Sequence, residues 1–239
     1  MNPIHLNTNA FSVPGPNQHI CGQRDYVVVI DKSGSMLVND MPNDRSRWEA
    51  AKETIYALAA KVYGFDPDGI DVWLFSSGNT LYRNVSPEKV KQIFQENEPC
   101  GSTAMAEVLN NALEEYFRKR DTGRAKPNGE IIFVVTDGEP DNQNAVIDTL
   151  FKAALRLRPS DHLAIHFLQI GHDHSASRFL KVLDEKLVPR GIVPYDFVKT
   201  TKIEEMEVQG ITQTIMNLIN ETAQSKIAAM AQSGIPLRT

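Results

Sequence analysis

The sequence predicts an α/β domain: a doubly wound, mostly parallel sheet with one antiparallel edge strand. Three observations lead there. Short, β-branched, almost continuously apolar runs recur along the chain, as strands buried on both faces of a parallel sheet should read. Helix-period stretches lie between them, so strand and helix alternate. One strand-like segment follows its predecessor too closely for a crossover helix, which makes it a hairpin partner at an edge.

The elements follow in order. Residues 1–23 combine Pro14, Gly15 and Pro16 with scattered polar side chains and read as an N-terminal arm. The domain itself is placed at 24–222, with 223–239 as a tail or helix extension. The run Asp25-Tyr26-Val27-Val28-Val29-Ile30 opens the sheet, and similar runs recur at Ile70 to Phe75, Ile131 to Thr136 and Leu163 to Ile170. Thr80 to Val85, just after Ser77-Gly78-Asn79, is the antiparallel edge. Helical periodicity covers Trp48 to Val62, Val90 to Asn97, Met105 to Arg118, Ala145 to Leu157 and Ser177 to Leu187. Ser86-Pro87 puts an N-cap hydroxyl before a proline at the first helical position. A last strand is expected at Tyr195 to Val198. A closing helix then runs from Glu204, with Ile211, Ile215, Leu218, Ile219 and Thr222 on one face.

A chain of 239 residues, 41% hydrophobic and 23% charged, is long enough for one domain with a sizeable core. Its net charge of −5 argues against a nucleic-acid partner, which a basic stripe would normally meet. No run reaches membrane-spanning length, and residues 1–18 lack the basic start and apolar core of a signal peptide. Cys21 and Cys100 have no metal-binding or disulfide-framework spacing. Two reduced thiols and a cytoplasmic location are therefore expected.

In an open parallel sheet, ligands bind beyond the carboxyl ends of the strands. The first strand ends in Asp31-Lys32-Ser33-Gly34-Ser35, and the run Ile131 to Thr136 ends in Asp137-Gly138-Glu139-Pro140-Asp141. A third loop, Cys100-Gly101-Ser102-Thr103-Ala104, precedes a helix. Any one of these loops is an ordinary turn or helix cap. At one sheet edge they become a set of carboxylates and hydroxyls suited to a hard, octahedral cation that keeps several waters, such as Mg²⁺. Ser33 and Ser35, flanking Gly34, can turn both hydroxyls to one side of a tight loop while Asp31 reaches the same point. Thr103 and Asp137 would close the site.

This pattern resembles the metal-ion-dependent adhesion site of von Willebrand factor type A domains, D-x-S-x-S followed by a Thr and then an Asp. The matching positions are Asp31, Ser33, Ser35, Thr103 and Asp137. The resemblance spans roughly Asp25 to Thr222, and it departs at Cys100, where the family often has Gly. It implies a stand-alone intracellular module that holds Mg²⁺ (or Mn²⁺ or Ca²⁺) and binds a protein partner whose Asp or Glu supplies the last ligand.

Two other readings compete. A phosphohydrolase of doubly wound fold often places an acid/base Asp two positions after the first-strand Asp, but Ser33 stands there. A scaffold with a purely structural metal is the other. His172-Asp173-His174 suggests a second metal site only weakly, because polar residues after a strand usually form a loop and a cap. Glu139 and Asp141 are read as an acidic rim or, alternatively, as ligands of an auxiliary cation.

Overall fold

The computed structural model describes residues 21–158, 160–186, 196–210 and 213–219. Most of the proposed arm, the tail at 223–239, Leu187, Tyr195, Ile211 and Thr222 lie outside them. The sheet consists of β1 (Asp25–Asp31), β2 (Ile70–Phe75), β3 (Asn79–Val85), β4 (Glu130–Thr136), β5 (Leu163–Gln169) and β6 (Val198–Lys202). Its spatial order is β3-β2-β1-β4-β5-β6, parallel except for the β2/β3 hairpin. The chain leaves β1 in one direction and returns to its other side as β4. The switch point of the winding therefore falls between β1 and β4, where a crevice opens at the strand ends.

Side-chain alternation divides the core into two layers. Val28, Ile30, Val72, Leu74, Phe133 and Val135 face one side and pack on α1 (Arg47–Tyr63) and α2 (Pro87–Glu96). Val27, Val29, Phe75, Ile132, Val134 and Phe167 face the other, against α3 (Met105–Asp121), α4 (Gln143–Arg156) and α5 (His174–Lys186). Because both faces are covered, the central strands are apolar without a break. Ser46 begins α1 with a reciprocal capping box to Glu49.

Two elements differ from the sequence reading. The last strand starts at Val198, where Tyr195 to Val198 was expected. Val198 pairs with Ile165, and Asp184 of α5 accepts the Thr200 N–H at 2.9 Å. This strand lies at the sheet edge and is mostly polar, VKTTK, so it carries little apolar signal. The closing helix is also interrupted: α6 (Ile203–Gln209) ends at Gly210, whose φ of +90° breaks the helical path. Residues 213–219 are helical again, with Ile215, Leu218 and Ile219 buried. Cys21, late in the segment read as an arm, is buried, and its carbonyl accepts the Tyr26 hydroxyl.

His166, in the interior strand β5, stacks on Phe133 with ring centroids 5.5 Å apart. Burial, followed by the charges of Arg24 and Lys199, lowers its pKa to about 4. Between that value and the usual 6.5 the unfolded chain binds the extra proton. This histidine therefore contributes stability that is present above pH 6.5 and lost as pH falls through 4, on the order of 3 kcal/mol in all. Denaturant melts of His166→Gln across this range should show a shallower acid-side decline than the parent. Parallel declines would refute the assignment.

Candidate metal centre

Asp31 is the last residue of β1 and Asp137 the first after β4 on the neighbouring strand, and both are fully buried. The Ser33 N–H donates to Asp31 Oδ1 at 2.8 Å, and the Thr136 hydroxyl donates to Asp31 Oδ2 at 2.7 Å. These contacts fix the carboxylate plane. Burial pushes the Asp31 pKa up to about 6, with repulsion from Asp137 adding to the shift and the Ser33 and Thr136 hydrogen bonds opposing it. A buried carboxylate pair of this kind calls for positive charge.

The hydroxyls link the two acids. Ser33 Oγ and Ser35 Oγ are 3.1 Å apart, and Ser35 Oγ donates to Asp137 Oδ1 at 3.0 Å. A short 3₁₀ turn over Gly34–Leu37 brings Ser35 back over the strand end. The third loop is stitched to the first through backbone: Gly34 N–H to the Gly101 carbonyl at 3.2 Å, and Cys100 N–H to the Lys32 carbonyl at 2.7 Å. Gly101 has φ +85°, a conformation that favours glycine. Thr103 sits at this edge, 8% exposed, with its N–H donating to Asp141 Oδ1 and its carbonyl accepting the Asp141 N–H, both at 3.0 Å.

The structure therefore joins Asp31, Ser33, Ser35 and Asp137 in one hydrogen-bonded chain and holds Thr103 in the adjoining loop. Asp141, read from sequence as rim, is exposed and also pins the Thr103 loop. Asp173 accepts the Ala176 N–H at the start of α5, so His172-Asp173-His174 is a loop residue, a cap and the first residue of the helix. Among the described residues no group of three or more His, Cys, Asp and Glu side chains could hold a metal. The donor set at the β1/β4 switch point is instead mixed carboxylate and hydroxyl, all oxygen. It fits Mg²⁺ or Mn²⁺ better than a soft metal.

Sequence reasoning missed Arg47 and Asp40. Arg47, the first residue of α1, donates from Nη1 to Asp137 Oδ2 at 2.7 Å, and from Nε and Nη2 to the Asp40 carboxylate at 2.9 and 2.6 Å. Neither belongs to a spacing pattern that would have marked it. Their approach depends on the excursion between β1 and α1, where Asn43 and Asp44 adopt positive φ.

Residues 26–139 match the family model described as von Willebrand factor type A domain, a stretch running from β1 to the loop after β4. Over this stretch the chain is similar to von Willebrand factor type A domains. Its fold is shared by solved structures at low identity. A von Willebrand factor type A protein from Catenulispora acidiphila is 18% identical, with a TM-score of 0.52 over 83% of this chain and 42% of that one. Manganese-loaded TRAP protein from Plasmodium vivax is 18% identical, with a TM-score of 0.50 over 79% of this chain and 72% of that one. Proximal thread matrix protein 1 of the mussel byssus, also 18% identical, has a TM-score of 0.49 over 81% of this chain. The chain spans 47% of the mussel protein, about half its length. No curated protein matches the sequence. The molecule has the expected mostly parallel sheet and antiparallel edge, with its oxygen-rich loops at the carboxyl end.

Proposed function

We propose that this domain binds a partner protein through one divalent cation, Mg²⁺ or alternatively Mn²⁺ or Ca²⁺, held by Asp31, Ser33, Ser35, Thr103 and Asp137. The observation that carries the reading is the pair of buried carboxylates, Asp31 and Asp137, connected by the Ser33 and Ser35 hydroxyls. A bound ion of this class supplies a hard Lewis acid that attracts oxygen anions. Asp137 already shares one oxygen with Arg47, Asp31 is the other carboxylate of the set, and the remaining donors, Ser33, Ser35 and Thr103, are neutral hydroxyls. The site is thus short of anionic ligands, and an Asp or Glu from the partner is the natural complement. The likeness to a protein solved in a manganese-loaded state supports a divalent ion in this fold.

The reading is of a binding module and not of an enzyme. Two positions after Asp31 stands the Ser33 hydroxyl, beside that of Ser35, and a hydroxyl of ordinary acidity does not transfer protons near neutrality. We place the protein in the cytoplasm, where the free thiols of buried Cys21 and exposed Cys100 would stay reduced. Nucleic acid is excluded from the proposal by the net charge of −5, and among the described residues no helix is long and apolar enough to cross a membrane.

Capture of a partner from native lysate in Mg²⁺ and in EDTA tests this, with both arms held below the melting temperature of the EDTA-treated protein. The partner should be retained in Mg²⁺ alone. Equal retention in EDTA would reduce the ion to a structural role. Turnover of phosphatase or esterase substrates that disappears in Asp31→Asn would move the protein to the enzymes.

A further inference from the structure

The guanidinium of Arg47 lies where the metal centre would be least expected to tolerate a cation. Its Nη1 is 2.7 Å from Oδ2 of fully buried Asp137, while Nε and Nη2 grip both oxygens of Asp40. The three donors thus divide one positive charge between two carboxylates, with the bidentate geometry in which arginine binds most specifically on Asp40 and a single bond on Asp137. The arrangement is built and not incidental. Arg47 is held at the first position of α1, with its N–H donating to the Val38 carbonyl at 3.0 Å. Its guanidinium lies against Gly171, where an added Cβ would come within 2.5 Å of Nε. The Arg47 side chain is only 12% exposed, so the ion pair with Asp137 is poorly screened.

We propose that Arg47 is a positioning and affinity-setting residue of the metal centre, an internal counter-ion that keeps Asp137 Oδ2 and leaves only Oδ1, the oxygen facing Ser35, for the cation. Asp40 controls how much of the guanidinium charge Asp137 feels. The arrangement weakens the hold on the ion by removing negative charge from its ligand. It also leaves a bound ion more electrophilic, and so more demanding of a carboxylate from outside. This inference rests on the metal-centre reading and adds the residue that sets its strength.

Mn²⁺ titration of the whole chain, by calorimetry or by loss of the free-ion paramagnetic resonance signal, tests it. A neighbouring opposite charge shifts the proton affinity of a carboxylate by one to three pKa units, so Arg47→Met should tighten Mn²⁺ binding by about tenfold or more. Asp40→Asn should weaken it in the parent, because Arg47 then commits fully to Asp137. The same Asp40→Asn change should have little effect in the Arg47→Met background, since Asp40 acts through Arg47. Arg47→Gln, which keeps a polar side chain without the charge, should give the same sign if the methionine variant does not fold. A folded Arg47→Met or Arg47→Gln protein with unchanged or weaker Mn²⁺ affinity would overturn the proposal and leave Arg47 a packing residue. An equal effect of Asp40→Asn in both backgrounds would also overturn it. If the parent binds Mn²⁺ while the variants fail to follow these signs, only the role of Arg47 falls. If parent and variants are all silent, the metal-centre reading falls with it.

Discussion

Replacing Asp31 with alanine is expected to lower affinity for Mn²⁺ or Mg²⁺ by about a hundredfold or more, since the site offers few anionic oxygens and these hard ions depend on them. Asp31 and Asp137 are the two carboxylates in the hydrogen-bonded chain, and Arg47 already takes an oxygen of the second. The loss should be specific to binding. In the metal-free protein the Asp31 side chain is a buried acid facing another buried acid, and burial disfavours its ionised form. Asp31→Asn keeps an acceptor for the Ser33 N–H and removes the charge. Its melting temperature in EDTA should therefore equal or exceed that of the parent, while the rise on adding Mg²⁺ disappears. Calorimetry paired with thermal melts in EDTA and in Mg²⁺ reads both effects. Retention of a parent-like Mg²⁺ response in either variant would show that the ion binds elsewhere.

At the opposite end of the sheet, Gly129→Ala is expected to be the most damaging single change to stability. Gly129 precedes β4, an interior strand paired to β1 and β5, and has φ +71°. Its carbonyl accepts the Asp25 N–H at 2.9 Å, and the next N–H, that of Glu130, donates to the His162 carbonyl at 3.0 Å. An added Cβ would run into the same His162 carbonyl, which is backbone and has no rotamer to yield. Backbone strain at the left-handed φ and the displaced start of two strand ladders act together. A loss of about 3 kcal/mol or more follows, on the order of 10 °C in melting temperature for a domain of this size. Gly138→Ala is the control, because nothing lies within 4 Å of its added Cβ and its φ is not in the left-handed range. Similar melting temperatures for the two variants would show that the β4 entry can relax.

The layered architecture was legible because burial on both faces leaves unbroken apolar runs. Val27 to Ile30 and Ile131 to Val135 could hardly be anything but interior strands. The β2/β3 hairpin was legible for a different reason: the connection at Ser76–Gly78 is too short to cross the sheet. Where the pattern was weak, the reading slipped. The edge strand Val198–Lys202 is polar and is held in place by pairing to β5 and by Asp184, a residue fourteen positions before the strand begins. The break at Gly210 lies inside a stretch whose apolar spacing suits a continuous helix on either side.

For the site, local sequence determined the ligand types and their loops, because D-x-S-x-S packs a carboxylate and two hydroxyls into five consecutive residues at a strand end. That is short-range chemistry, and it stays together in any fold that ends a strand there. Only the tertiary structure decided the electrostatics. The β1/β4 pairing is what buries Asp31 beside Asp137 across more than a hundred residues of chain, through the Ser35 contact with |i−j| of 102. The docking of α1 likewise places Arg47 on Asp137, ninety residues away, and Gly171 provides the space. Ion pairs of this kind depend on distance and desolvation. Both are properties of the packed domain and leave no periodicity in the chain for a sequence reading to find.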